Sequence, residues 1–113
     1  MSVVAPGAEG YLGVLAHHAP LVAALGVGAL TVRREDDKQV QIAVHRGVLE
    51  VSGNAAMVLA DTAELASEID EERARRALQR ARLRLEARAA DTDLERAGLA
   101  LARALNRVKV KQR

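Results

Sequence analysis

The sequence predicts a mainly β plus α protein, with a β-sandwich over residues 1–66 and an antiparallel two-helix hairpin over residues 67–113. Two periodicities and one break carry this reading. Apolar residues recur at every second position up to about Asp61, and from Ser67 onward they recur with helical spacing. A short polar break, Ala89-Ala90-Asp91-Thr92-Asp93, divides the helical stretch in two.

In the β part, Leu30 and Val32 alternate with polar or small residues, and so do Val40, Ile42 and Val44 in the next segment. Side chains two apart on a strand share a face, so each set marks one buried side. The charged run from Arg33 to Lys38 lies between them and reads as a solvated hairpin tip. Two further short strands are predicted at Val48–Val51 and Met57–Ala60, joined by Ser52-Gly53-Asn54, whose residues tolerate positive φ. Short strands separated by such turns read as a sandwich.

In the helical part, positions 74, 77, 78, 81 and 85 form one apolar stripe, and positions 94, 97, 101, 104, 105 and 108 form a second. Thr92 and Glu95 have capping-box spacing, which predicts the start of the second helix. A short connection brings the helices back as a hairpin. The stripes are rich in alanine and bury little area apiece, so closure of the hairpin is expected to be marginal at roughly 25 cal/mol per Å².

Composition narrows the function. A chain of 113 residues holds one ordinary domain, or a small β-domain with a helical appendage, and leaves no room for a large substrate-enclosing core. Tyr11 is the single aromatic residue, so the core is expected to be aliphatic. The absence of cysteine excludes a disulfide framework and thiolate metal sites. The longest uncharged stretch, Ala19 to Val32, contains Pro20, Gly26 and Gly28 and is too short to span a bilayer. The N-terminus lacks the features of a signal peptide, and a cytoplasmic location is expected. Charge is unevenly distributed: residues 1–70 carry 4 Lys/Arg against 9 Asp/Glu, and residues 71–113 carry 13 against 6. A polyanion would bind the second segment.

The arginines of that segment are spaced to converge. Asp70, Arg73 and Arg80 lie close to one side of the first helix, and Arg103 and Arg107 are four apart on the second. If these sides meet, crowded guanidinium groups raise the energy of the closed form unless an anion sits among them, and a nucleotide phosphate tail would supply one. The alternative is a set of solvated helix arginines. No phosphate loop, nucleophile elbow or zinc-ligand spacing occurs. His17 and His18 are adjacent, which points them to opposite faces of a strand and favours a structural role; His45 reads as a lone strand residue.

Several blocks, in order along the chain, resemble the epsilon subunit family of bacterial F-type ATP synthases. Glu9-Gly10-Tyr11-Leu12-Gly13-Val14-Leu15-Ala16-His17-His18-Ala19-Pro20-Leu21 resembles the family's GELGILPGHAPL segment. Arg46-Gly47-Val48-Leu49-Glu50-Val51 resembles GGFLEV, and the stretch from Val58 to Glu64 resembles its closing strand. Ile69-Asp70-Glu71-Glu72-Arg73-Ala74 matches I/L-D-x-x-R-A, and Leu101 to Val108 resembles the end of the last helix. The departures are Tyr11 for Glu, Ala16 for Pro, His17 for Gly, and Arg46 for the first Gly of GGFLEV.

The resemblance implies a non-catalytic central-stalk subunit, one copy per complex, that couples proton-driven rotation to ATP synthesis. Its β-sandwich would dock on the gamma subunit and the c-ring, with Tyr11 and His18 in the contacting segment, and its hairpin would restrain ATP hydrolysis in the alpha/beta head. The protein would be peripheral, at the cytoplasmic face of the cell membrane. No cofactor is required, and ATP enters as a regulatory ligand; Glu64, Asp70, Arg73, Arg80, Arg103 and Arg107 match the nucleotide-contacting positions. The family also has two strands before the segment equivalent to Ser2-Val3-Val4. Their absence here predicts an incomplete sandwich, a start placed too far downstream and poor solubility of the chain alone. The competing function is a basic helical hairpin that binds nucleic acid, on the charge of residues 71–113. Against it stands the lack of stacking aromatics, so no nucleic-acid partner is expected.

Overall fold

The computed structural model describes residues 2–15, 19–53, 55–87 and 93–112. Five strands form one antiparallel sheet: β1 (Ser2–Gly7), β2 (Gly10–Leu15), β3 (Leu21–Arg33), β4 (Gln39–Ser52) and β5 (Ala55–Leu65). Their order across the sheet is β2-β1-β3-β4-β5. A single 3-10 turn at Ala66–Glu68 leads into α1 (Glu71–Ala87), and α2 (Leu94–Gln112) follows. The sandwich-then-hairpin class expected from the two periodicities is the one observed.

The predicted strand at Val48–Val51 is the second half of β4, which continues from the first without interruption. What looks like a break in the sequence is a corner. In the first half of β4 Val44 is in the core and Ile42 packs against it; in the second half the core residues are Leu49 and Val51. The parity of the buried positions changes between them, at Arg46, whose φ is 66°. A residue in the left-handed region turns the chain enough to exchange the two faces. β3 runs alongside in unbroken register with β4 and shows the same change, with Leu25 and Leu30 both in the core. Both halves of the long strands thus feed one aliphatic cluster, with Val3, Ala5 and Val14 from β1 and β2.

The opposite face of the first half of β4 and of the second half of β3 beside it seats the hairpin. Ala29 and Ala43 form a second cluster with Ile69, Ala74, Val108 and Val110. Small side chains on the sheet let α2 approach closely, and Val110 is fully buried although it lies beyond the predicted stripe. Leu94 departs from that stripe in the other direction, being 51% exposed at the start of α2.

Turns follow local chemistry. The charged tip between β3 and β4 closes at Asp37, with φ 63°, and the Asp36 carboxylate accepts from the Lys38 N–H at 3.1 Å. Gly53, with φ 59°, carries the β4–β5 turn, where a side chain would be strained. Asp70 caps α1 by accepting from the Arg73 N–H at 3.1 Å. Asp93 caps α2 in the same way, accepting from the Arg96 N–H at 3.0 Å. Thr92, predicted as the cap, lies outside the described residues, and the observed cap is one residue later.

Candidate functional site

The arginines of α1 divide into two classes by what they meet. Arg75 and Arg76 face outward and pair with Glu71 and Glu72 one turn earlier, at 2.9 and 3.4 Å. Such exposed pairs contribute little to stability. Arg73 and Arg80 instead line a cleft, and among the described residues their guanidinium groups have no carboxylate partner. Helical spacing of seven places them two turns apart on the side toward α2.

A cleft of about 380 Å³ opens where the hairpin meets the end of β5. Glu64 from β5, Asp70 at the helix cap, Arg73 and Arg80 from α1 and Arg107 from α2 all line it. Five of the six predicted nucleotide-contacting residues therefore converge on one space, drawn from three elements. Arg103 is absent from this cleft. It lines two neighbouring ones, a groove of about 690 Å³ between the helices, shared with Arg80 and Arg107, and a smaller cleft under α2. Arg107 reaches all three.

The convergence is held by an ion pair across elements: Arg107 Nε donates to Glu64 Oε1 at 2.5 Å, with the two side chains 27% and 34% exposed. Lys111 Nζ donates to the Ala66 carbonyl at 3.1 Å, and Asn106 Nδ2 donates to the Gly28 carbonyl at 2.9 Å. These bonds clamp the last turns of α2 to the sheet. Two of the predicted residues already serve the fold, Asp70 as a helix cap and Glu64 as the partner of Arg107. Both carboxylates keep acceptor capacity, since an ionised carboxylate has about four acceptor sites.

His45 was the residue whose surroundings the sequence did not disclose. It is 2% exposed beneath α2, its Nδ1 lies 2.7 Å from Thr62 Oγ1, and its Nε2 is buried without a partner. Burial lowers its pKa to about 4, Arg107 and Arg103 push in the same direction, and Glu64 opposes them. The available signal was position: His45-Arg46 interrupts an otherwise aliphatic alternation between Val44 and Val48.

Of the two residues predicted in the partner-contacting segment, His18 lies outside the described residues. Tyr11 is 60% exposed, and its hydroxyl accepts from the Ala29 N–H at 3.2 Å. The reason is local. The β1–β3 register breaks between Val4 and Gly7, around Pro6, which has no N–H to give, and the Tyr11 hydroxyl reaches across to a β3 amide at that bulge. Among the described residues, no group of three or more His, Asp or Glu side chains is placed to hold a metal ion, and no helix is long and apolar enough to cross a membrane.

Comparison with known proteins bears on the whole chain. Residues 1–66 match the family described as ATP synthase, Delta/Epsilon chain, beta-sandwich domain, and residues 67–112 match its long alpha-helix domain. The chain belongs to the ATP synthase delta/epsilon family. Among curated members, the ATP synthase epsilon chain of Desulforamulus reducens is 51% identical over 107 residues, covering 95% of this chain and 80% of that one. The epsilon chain of Moorella thermoacetica is 48% identical over 108 residues, covering 96% and 81%. Among solved structures, a chain of the Euglena gracilis mitochondrial ATP synthase, in a structure described as OSCP, F1 and c-ring, superposes with a TM-score of 0.75 at 27% identity. That match covers 89% of this chain and 63% of the other, so this delta/epsilon family member spans less than two thirds of the Euglena chain. The nucleic-acid reading of the basic segment receives no support from these likenesses.

Proposed function

We propose that this chain is a non-catalytic stalk subunit of a rotary F-type ATP synthase whose helical hairpin is a nucleotide-sensitive brake. Membership of the delta/epsilon family supports the stalk role, and the Euglena chain that superposes on it comes from an assembly described as containing F1 and the c-ring. The sheet domain, residues 1–66, docks on the gamma subunit and the c-ring through the segment that includes Tyr11 and His18. The hairpin, residues 67–113, acts on the alpha/beta head. The subunit is peripheral, held at the cytoplasmic face of the membrane through the complex.

One observation carries the brake: Glu64, Asp70, Arg73, Arg80 and Arg107 gather in a single cleft only because the hairpin is folded down on the sheet. Unpartnered guanidinium groups in that cleft repel one another, and a triphosphate would turn the repulsion into attraction. Arg103, in the adjoining groove, extends the positive lining. ATP is then a signal and not a substrate. Ligand at about one hundred times its dissociation constant favours the binding form by about 2.7 kcal/mol, enough to decide a closure that alanine stripes leave marginal.

The test is titration of ATP into the full chain, with hydrogen exchange in α1 and α2 as the readout. Exchange should slow with nucleotide, and the response should be lost in the Arg103→Gln/Arg107→Gln double variant. Unchanged exchange at millimolar ATP removes the switch. Co-purification with the gamma subunit tests the docking role separately.

A further inference from the structure

Among the described residues, His45 is the one buried side chain that is polar or charged, and it lies at the seam between sheet and hairpin. It shares a face of β4 with Ala43, which belongs to the cluster under the helices. Val27 of β3 and Thr62 of β5 flank it in register. Leu99, Arg103 and Arg107, spaced one turn apart along α2, lie across a cleft of about 310 Å³ from it. α2 is therefore the lid over the imidazole, and lifting α2 returns the ring to water.

With the lid down, the surroundings suit the neutral ring. Nδ1 lies 2.7 Å from Thr62 Oγ1, and Nε2 is buried without a partner. A neutral imidazole leaves one nitrogen unsatisfied. The imidazolium carries two N–H donors and a charge, and a buried charge without its own acceptor costs far more. Charged groups reach the ring from three elements: Arg46 on β4, Asp61 and Glu64 on β5, and Arg103 and Arg107 on α2. β3 presents Val27. Glu64 favours the charged ring but is committed to Arg107. Burial first, and then Arg107, bring the pKa of the covered ring from 6.5 to about 4.

We propose that His45 makes the seating of the hairpin acid-sensitive: protonation of its imidazole releases α2 from the sheet while the sheet stays folded. Two observations separate release from unfolding. The sheet's own cluster, with Val44, Leu49 and Val51, is aliphatic and offers acid nothing to act on. The cluster that seats the hairpin is small and includes Ala29, Ala43 and Ala74, so it buries little area and a single charge can tip it. The sign follows from linkage. A lifted ring binds the proton more readily than a covered one, so the seated form is favoured in full above pH 6.5 and loses ground as pH falls toward about 4. The consequence for ATP hydrolysis rests on the proposed brake: acid frees the tail that nucleotide holds down, and the two signals oppose each other on one hairpin.

The test uses the full chain without nucleotide and follows hydrogen exchange in α2 and β3. Protection factors are compared, because they remove the pH dependence of the intrinsic exchange rate. Protection in α2 should lie below that of β3, as for a tail that opens on an intact sheet. It should fall roughly tenfold to thirtyfold between about pH 7.5 and about pH 5. His45→Gln, which does not titrate, should abolish the fall. Because that variant can itself loosen the seat, Arg103→Gln gives a second check: with one cation removed, the covered ring moves toward its ordinary pKa and the fall should shrink. The imidazole resonances of His45, identified by their absence from His45→Gln, should titrate well below pH 6.5 in wild type. An equal fall in wild type and His45→Gln, a ring that titrates near 6.5, or equal protection of α2 and β3 overturns the inference. Since nucleotide is absent, a chain that fails to bind ATP would remove the nucleotide switch and leave this result standing, and the reverse holds as well.

Discussion

Asn106 of α2 donates from Nδ2 to the carbonyl of Gly28 in β3, 78 residues earlier in the chain, at 2.9 Å. The next residue, Ala29, gives its N–H to the Tyr11 hydroxyl, so one short stretch of β3 holds α2 on one side and the β2 strand on the other. Gly28 has no room for a side chain: an added Cβ would lie 2.5 Å from Pro6 Cβ and 2.8 Å from Tyr11 Oη. Gly28→Ala is expected to destabilise the protein by about 1–3 kcal/mol. Denaturant unfolding checks it, and an unchanged midpoint would mean that Pro6 and Tyr11 yield without cost.

The Glu64–Arg107 pair joins the sheet domain to the last helix. Partial burial protects it from full solvent screening, and a coupling energy of about 1 kcal/mol is expected from the cycle of Glu64→Gln, Arg107→Gln and the double variant. Urea denaturation measures the coupling. The single variants should also speed hydrogen exchange near Arg107 more than at the start of α2.

Asp70 combines a cap with a position in the cleft, and the two roles separate by substitution. Asp70→Ala removes the bond to the Arg73 N–H and should cost about 1 kcal/mol. Asp70→Asn retains capping ability while removing the charge. Equal stability of Asp70→Asn and wild type, with altered ATP affinity, would assign the carboxylate a part in ligand recognition; equal affinity would leave it a cap alone.

Acid should loosen the α2 contact through His45. Its pKa falls from 6.5 to about 4 on folding, chiefly by burial and then by Arg107. Between those values the unfolded chain binds more protons than the folded one. The contribution is therefore complete above pH 6.5 and is lost as pH falls toward about 4. Urea midpoints of wild type and His45→Gln should draw together over that interval, and parallel curves would show that the ring does not titrate differently on folding.

The alternating residues Val40, Ile42 and Val44 were legible as one face because water on one side and a core on the other impose a period of two. The helical stripes were legible for the same reason with a period of 3.6. The corner in β4 was not, since a single residue with positive φ leaves composition unchanged while exchanging inside and outside; the eye reads two strands. Val110 escaped because the sheet's alanines, distant in sequence, create its pocket. Spacing along each helix brought Asp70, Arg73 and Arg80 to one side, yet it could not place Arg103 in a neighbouring groove, which depends on how the helices cross. His45 gave no periodic signal, and its burial comes from α2 packing across the sheet.

The turn at Arg46 divides the outer surface of the long strands between two tenants. On one side of it, Ala29 and Ala43 lie under the helices. On the other, Val22, Val48, Met57 and Leu59 remain 73%, 41%, 51% and 64% exposed. An aliphatic platform of this kind stays open whatever the helices do, so attachment at that end and movement of the tail at the other need not compete for the same ground.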